Sequence, residues 1–211
     1  MHEKTAAGYD AVALEYAARL AQELDGKPFD RDFLTQFERG TQQGLILDLG
    51  CGPGHVAKFI AGLGRGVMGI DLSAAMVTVA QALNPQLQVQ QGDMCALELP
   101  TASFAGVVAF YSIIHLAPAE LQTAVREMYR VLAPSGRLAV AFHVGDEVRH
   151  VDSLWGIKTD LDFSFLQPQF VQEALKAVGF EVTQAITRPP YAPEVESQTN
   201  RCYVVAVRPP Q

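Results

Sequence analysis

From Gly44 onward the apolar positions fall into short β-type runs separated by stretches of helical spacing. That alternation is the signature of βαβ units around a parallel sheet. It predicts strands over 45–49, 67–71, 87–91, 104–110 and 137–143. Ser73 is placed to cap a helix that runs through Met76, Val77 and Ala80. Pro118 suits the first turn of another, whose Leu121, Val125, Met128 and Leu132 recur at four, three and four residues. Gly136 is positioned to end that helix and turn the chain into the fifth strand. Further on, 180–187 and 201–208 read as two strands joined by a polar, proline-containing loop, an antiparallel pair at the sheet edge. Ahead of the sheet, 6–24 has the spacing of an amphipathic helix and 30–38 of a second, with a turn over 25–28. Residues 146–167 are the least regular, and their Trp155, Phe163 and Phe165 suggest a cap, with Tyr191 joining a hydrophobic cover over an apolar acceptor or a satellite core.

The sharpest local feature is the run from Leu45 to His55, where a buried strand passes into three alternating glycines, Gly50, Gly52 and Gly54, and then a helix. Glycine there permits positive φ and lets a ligand approach the backbone with no Cβ in the way. The helix that follows offers unpaired N–H groups and a partial positive charge at the carboxyl end of the strand. A dinucleotide site wants G-x-G-x-x-G; counted from Gly50 the third position is His55, and from Gly52 it is Ala57, a tolerated variant, so the pattern alone leaves both ligand classes open. Asp48 tips the balance. An acid beside a diphosphate is repulsive, whereas the ammonium of an amino acid welcomes it. The turn therefore suits a nucleoside joined to an amino acid. Asp71, 23 residues after Asp48, ends the second strand where a carboxylate can accept both ribose hydroxyls, which would serve NAD as well. Asp93, after the third strand, is placed for an adenine amino group, with Met94 and Leu72 flanking the base.

Composition narrows the partners. The 211 residues are 49% hydrophobic and 18% charged, an ordinary globular balance that one α/β domain over 1–211 can use whole. Within it 1–43 reads as a helical cover and 146–170 as a substrate cap. The net charge is −7 and the 16 Lys and Arg are scattered, which argues against nucleic acid and against anionic membrane surfaces. Cys51, Cys95 and Cys202 have no metal-like spacing, so no metal site is expected, and an odd, sparse set reads as free thiols in a reducing compartment. With no apolar leader and no run of membrane-spanning length, the expectation is a cytoplasmic monomer or homodimer.

The run DLGCGPG, the DLS after the second strand, the GDM after the third, FAGVVAFYSIIHL at the fourth and REMYRVLAPSGRLAVAFH before and through the fifth resemble, in that order, the class I S-adenosylmethionine-dependent methyltransferases, most closely their small-molecule branch. The likeness covers roughly residues 44–145, with a weaker match at 176–180. It implies a doubly wound, mostly parallel seven-stranded sheet with an antiparallel last strand, and S-adenosyl-L-methionine as cofactor with S-adenosyl-L-homocysteine as product. Carried over by position, Gly50, Gly52 and Gly54 with Cys51 between them would line the methionine moiety, Asp48 nearby. Asp71 would hold the ribose and Asp93 the adenine amino group, Leu72 and Met94 the ring, and the backbone at Phe110 and Tyr111 the methionine end, with Met76 a further cofactor contact. Tyr9 and Tyr16, seven apart and so on one helix face, would cover the cofactor, as tyrosines of the family's leading helix do. Ala105 stands where the family often has Asp, a structural position.

Methyl transfer from a sulfonium is an in-line displacement in which positioning and desolvation supply much of the acceleration, and a base is needed only if the acceptor must lose a proton early. His115, just after the fourth strand, is the leading candidate for that base, as a histidine titrating near neutrality; a cap or packing role is its structural alternative. His143, ending the fifth strand on the ligand-binding side, is the second candidate. His55 faces solvent or touches the cofactor, and the Cys51 side chain is packing with no base beside it. The acceptor is a small, apolar or aromatic metabolite methylated on O or N. A nucleotide-cofactor oxidoreductase of the NAD type and a non-catalytic cofactor-binding module are the alternatives.

Overall fold

The computed structural model describes residues 2–210. Its helices are α1 (His2–Leu20), α2 (Pro28–Gly40), α3 (His55–Gly62), α4 (Ala74–Leu83), α5 (Pro118–Val131) and α6 (Pro168–Val178). Its strands are β1 (Ile46–Leu49), β2 (Val67–Asp71), β3 (Gln88–Gln91), β4 (Phe104–Phe110), β5 (Leu132–His143), β6 (Val148–Leu154), β7 (Ile157–Ser164), β8 (Glu181–Arg188) and β9 (Arg201–Val207). Seven of these form one sheet in the order β3-β2-β1-β4-β5-β9-β8. Pairing is parallel from β3 through β5, and β9 runs antiparallel between β5 and β8. This is the mostly parallel, seven-stranded sheet with an antiparallel last strand implied by the sequence motifs. The strand order reverses beside β1, so the glycine turn leaves β1 at the topological switch point, where open α/β sheets bind ligands.

Successive side chains of β1 take opposite faces. Ile46 packs with α2, α3 and α4 through Phe33, Phe37, Ile60 and Ala80. Leu47 and Leu49 pack on the other side with α5 and α6 through Val125, Met128, Val171 and Leu175. Every residue of β4 is buried, as a strand covered on both faces requires. The cap of α4 forms as the sequence predicts: Ser73 Oγ accepts from Met76 N–H at 3.0 Å. Asp10 of α1 joins the same helix end, accepting from Ser73 Oγ and from Ala75 N–H, which ties α1 across the carboxyl edge of the sheet.

The structure corrects three local expectations. Gly136 does not end α5; the helix stops at Val131 because Pro134 holds the preceding residue extended. Gly136 lies within β5 beside Ser135 (φ 62°), at the register shift against β4, where a Cβ would stand 2.7 Å from the Ala133 carbonyl oxygen. Leu24 is outside the first helix: α1 ends at Leu20 and a separate single turn spans Glu23–Gly26. Finally, 146–167 is regular. β6 and β7 form a hairpin whose two-residue turn, Trp155 (φ 52°) and Gly156 (φ 81°), has the positive angles of a type I′ turn. Leu161 of β7 is 1% exposed, and Thr159 Oγ donates to the Gly8 carbonyl at 2.9 Å. Gly8 allows that approach, since a Cβ there would stand 2.6 Å from Leu161 Cδ2. The hairpin is thereby docked on α1 over the edge of the site.

Candidate active site

The three glycines of the turn have φ of 69°, 51° and 81°, all in the left-handed region that glycine tolerates. Their surroundings differ. A Cβ at Gly50 would stand 2.3 Å from Ser112 Cβ, and one at Gly54 would stand 3.0 Å from Asn84 Nδ2. Both positions are therefore closed by the protein's own packing, and Ser112 is held there by donating to the Leu49 carbonyl at 2.7 Å. At Gly52 the nearest neighbour of a Cβ would be the Tyr16 ring, at 3.9 Å. Gly50 and Gly52 face a cleft that Tyr9, Tyr16, Met76, Met94 and Phe110 also line.

Four carboxylates line this cleft, from Glu23, Asp30, Asp71 and Asp93, and no Lys or Arg does among the described residues. Asp71 grips the turn: Oδ2 accepts from Gly52 N–H at 2.7 Å and Oδ1 from Ser73 N–H at 2.9 Å. Burial raises its pKa, and those two N–H donors oppose the rise. Asp93 accepts from Cys95 N–H at 2.8 Å and meets the His2 ring at the cleft mouth, where His2 also faces Glu120 at 3.2 Å. Glu23 bonds Nε2 of His55 at 2.9 Å and also Lys27. Burial alone would raise the Glu23 carboxyl, but the hydrogen bond and charge of His55, with Lys27, bring it down to about 2.

His115 lines the cleft opposite the turn. Its Nδ1 lies 2.8 Å from the Asp162 carbonyl oxygen, which can only accept, so Nδ1 carries the hydrogen and Nε2 keeps its lone pair. The Tyr9 hydroxyl donates to that Nε2 at 2.8 Å. Burial pushes the imidazole down to about 4, which corrects the expectation of titration near neutrality. The Tyr9 ring packs edge-on against both His115 and Tyr16, with centroids at 5.2 and 5.8 Å. Tyr111 adopts φ 54°, a strained angle for an aromatic residue of the kind that gathers at functional sites. Its hydroxyl bonds that of Tyr203 at 2.8 Å, and Tyr203 donates on to Asp30 Oδ1 at 2.9 Å. Arg188 joins Asp30 at 2.9 Å and Glu196 at 2.6 Å, so a buried ion network anchors this wall.

A second cavity adjoins the first, sharing Tyr9, Tyr16, Glu23 and Tyr111. Trp155, Phe163 and Phe165 line it, as does His143, which is pushed down to about 4 by burial and then by neighbouring cations.

The structure thus brings Tyr9, Tyr16, Gly50, Gly52, Asp71, Leu72, Met76, Asp93, Met94, Phe110, Tyr111 and His115 to one cleft. His143 belongs to the neighbouring cavity. Three of the expected cofactor residues do not reach the cleft wall. Asp48 is 1% exposed and points from β1 beneath the first turn of α3, where Ala57 N–H bonds it; Oδ2 has no partner, and burial pushes the carboxyl up to about 7. Cys51 turns its side chain into the core with Val56 and Val89, and Gly54 caps α3. Of the expected cover, Tyr191 accepts from Phe29 N–H at 2.9 Å and stacks under Arg188, away from both cavities. Glu23, Asp30 and Ser112 were invisible in sequence, since two come from irregular or helical segments ahead of the sheet and the third follows a strand with no signal of its own.

Comparison with known proteins places residues 46–136 in a methyltransferase-domain family. A malonyl-[acyl-carrier protein] O-methyltransferase of Erwinia billingiae is 31% identical over 122 residues, covering 58% of this chain and 48% of that protein. A 2-phytyl-1,4-naphtoquinone methyltransferase of Thermosynechococcus vestitus is 32% identical over 105 residues, covering 47% and 46%. The chain spans about half the length of the curated relatives it matches. Among solved structures, a protein from Methanosarcina mazei described as a SAM-dependent methyltransferase superposes with a TM-score of 0.75 at 16% identity, covering 83% of this chain and 98% of that one.

Proposed function

We propose that this chain, whose residues 46–136 match a methyltransferase-domain family, is a class I S-adenosylmethionine-dependent methyltransferase that transfers a methyl group to an O or N atom of a small molecule held in the second cavity. The observation that carries the reading is the charge at the glycine turn: Asp30 and Glu23 are held by Arg188 and Lys27, but Asp71 and Asp93 line the cleft with no Lys or Arg partner among the described residues. A diphosphate there would meet like charge at close range, at a cost of about 4 kcal/mol for each unit pair 4 Å apart at an effective dielectric of 20. A ligand bearing a sulfonium and an ammonium gains from the same field. The NAD-type oxidoreductase is disfavoured on that ground.

In this reading Asp71 accepts the ribose hydroxyls on the lone pairs left free by Gly52 and Ser73, and Asp93 takes the adenine amino group once His2 swings aside. Leu72, Met76 and Met94 bracket the base, and the Gly50–Gly52 backbone with Glu23 holds the amino-acid end. S-adenosylmethionine supplies, when bound, an electrophilic methyl group on a good leaving group. The chain's own work is then to orient the acceptor and exclude water, which the aromatic walls do. His115, neutral above about pH 4, is available at Nε2 to take the acceptor's proton as the Tyr9 hydroxyl yields its place; its weak basicity suits a proton lost late.

The same reading takes 1–211 as one domain, with 1–43 covering the cofactor and 146–170 walling the acceptor, and keeps the chain cytoplasmic, a monomer or homodimer, and off nucleic acid. Net charge −7 supports the last point, and none of the helices is long and apolar enough to cross a membrane among the described residues. Titration calorimetry with S-adenosylhomocysteine and with NAD tests the core of it. Saturable binding of the first and none of the second is expected; the reverse overturns the reading. Label transfer from methyl-labelled cofactor separates an enzyme from a binding module.

A further inference from the structure

The second cavity has the opposite electrical character. Three cations, Lys27, Arg149 and Arg201, line it against two acids, Glu23 and Glu196, in a chain of net charge −7. Two of these cations are buried, Lys27 at 4% and Arg201 at 2% exposure. Arg201 donates from Nη1 to the carbonyls of Ser197 and Thr199, at 3.0 and 2.8 Å, and its Nε stands 3.1 Å from Glu196. That buried Nε makes no hydrogen bond, and no hydrogen bond is made by Nη2 among the described residues. Glu196 cannot satisfy it, because that one carboxylate also serves both Nη atoms of Arg188 and lies 3.9 Å from Lys27. Glu23, the other acid beside Lys27, is shared with His55.

Both cations stand over one ring: Lys27 Nζ and Arg201 Cζ are each 5.8 Å from the centre of Tyr111, one of the four residues that line both cavities. His143, on the same wall, registers the local field. Burial lowers its pKa, Arg201, Lys27 and Arg149 push the same way, and Glu196 is the one opposing charge of note. The hairpin side of the wall is apolar, with Val151, Leu154, Trp155, Phe163 and Phe165. Trp155 is kept there by a backbone angle of φ 52°, unfavourable for a bulky side chain. A buried guanidinium with an idle edge, beside a buried ammonium and an aromatic slot, has a defined complement: a carboxylate on an apolar body, since charge-assisted bonds to a planar fork are about twice as strong as neutral ones.

We propose that the methyl acceptor is an organic acid, its carboxylate bound by Arg201 Nη2 and Lys27 Nζ and its apolar or aromatic body lying between Trp155 and the Phe163–Phe165 side of the hairpin. The identity of the site as the acceptor site rests on the methyltransferase reading above; the acid preference rests on the cavity alone.

Trp155 is the single tryptophan of the chain and lines this cavity, so its fluorescence reports occupancy here. The test titrates the full chain with 3-phenylpropanoate and with its neutral isostere 3-phenylpropanamide, with and without S-adenosylhomocysteine. The acid should bind saturably and at least about tenfold more tightly than the amide, as loss of one charge-assisted bond requires. In Arg201→Gln the preference should fall to near parity while amide binding persists, which also shows that the cavity has kept its shape. Equal or tighter binding of the amide by the wild-type chain, or no saturable response to the acid, overturns the proposal even if the variant does not fold. Calorimetry with S-adenosylhomocysteine on the same preparation keeps the two readings apart. Cofactor binding without acid preference sinks the acid alone. Acid preference without cofactor binding leaves a carboxylate site and sinks the methyltransferase.

Discussion

Replacing Asp71 by Asn changes the site at one atom and probes the cofactor assignment most directly. The side chain is 9% exposed and keeps its shape, so the volume of the wall is unaltered. In the wild type each carboxylate oxygen accepts one backbone N–H, from Gly52 at 2.7 Å and Ser73 at 2.9 Å, and each has lone pairs left toward the cleft. An amide retains one accepting oxygen and turns its NH2 toward the other N–H. Binding then loses about one charge-assisted hydrogen bond, about 1.5–3 kcal/mol, or about 10- to 150-fold in Kd. Folding loses one backbone bond and leaves an N–H unsatisfied, at about 1–3 kcal/mol, partly offset because a buried charge no longer has to be desolvated. The assay is calorimetric titration with S-adenosylhomocysteine, with thermal unfolding of both proteins run alongside. A folded Asp71→Asn variant that binds within about twofold of wild type, well inside the loss of one such bond, would show that the ribose does not sit on this carboxylate.

Three further outcomes follow from the packing and the charges. Gly50→Ala should cost about 2–5 kcal/mol, from the left-handed angle and from a Cβ 2.3 Å from that of Ser112; urea unfolding measures it, and adding Ser112→Gly should restore the overpacking share but not the backbone share. Arg188→Met strands Asp30 without its cation, leaves Glu196 to Arg201 and Lys27, and should lower stability by about 3–5 kcal/mol, read from the same denaturation curves; a change under about 1 kcal/mol, the size of a surface effect, would contradict the network. Stability should rise with pH between about 5 and 6.5 at up to roughly 1.4 kcal/mol per unit. In that window unfolding lets His115 and His143, both held near 4, take up protons, while Asp48, pushed up to about 7, gives one up, so two groups act against one. Asp48→Asn removes the opposing group and should steepen the slope toward about 2.7 kcal/mol per unit; an unchanged or shallower slope refutes the assignment.

What could be read from sequence was whatever repeats along the chain. β2 and β4 are bounded where the apolar runs begin and end, and Pro118 and Ser73 mark helix starts because a missing N–H and a short hydroxyl each solve a local problem of the first turn. The hairpin was missed because its turn is Trp-Gly instead of Asn-Gly and because only Leu161 and Thr159 are buried in it, too few positions to set up a period of two. The acid groups divide in the same way. Asp71 ends β2 and Asp93 follows β3, so both could be placed, whereas Glu23 and Asp30 enter the cleft by tertiary folding, Asp30 reaching Tyr203 across 173 residues. Strand alternation also accounts for Asp48. With Leu47 and Leu49 on the α5–α6 face, residue 48 must point to the α3 face, under the helix N-terminus and not along the turn into the cleft. The acidic character expected of this turn is therefore present, but from residues other than Asp48. Asp71 at the end of β2 and Asp93 just after β3 supply it, while Lys27 and Arg188 hold Glu23 and Asp30, and Arg149 and Arg201 lie on the second cavity, where an acid can use them.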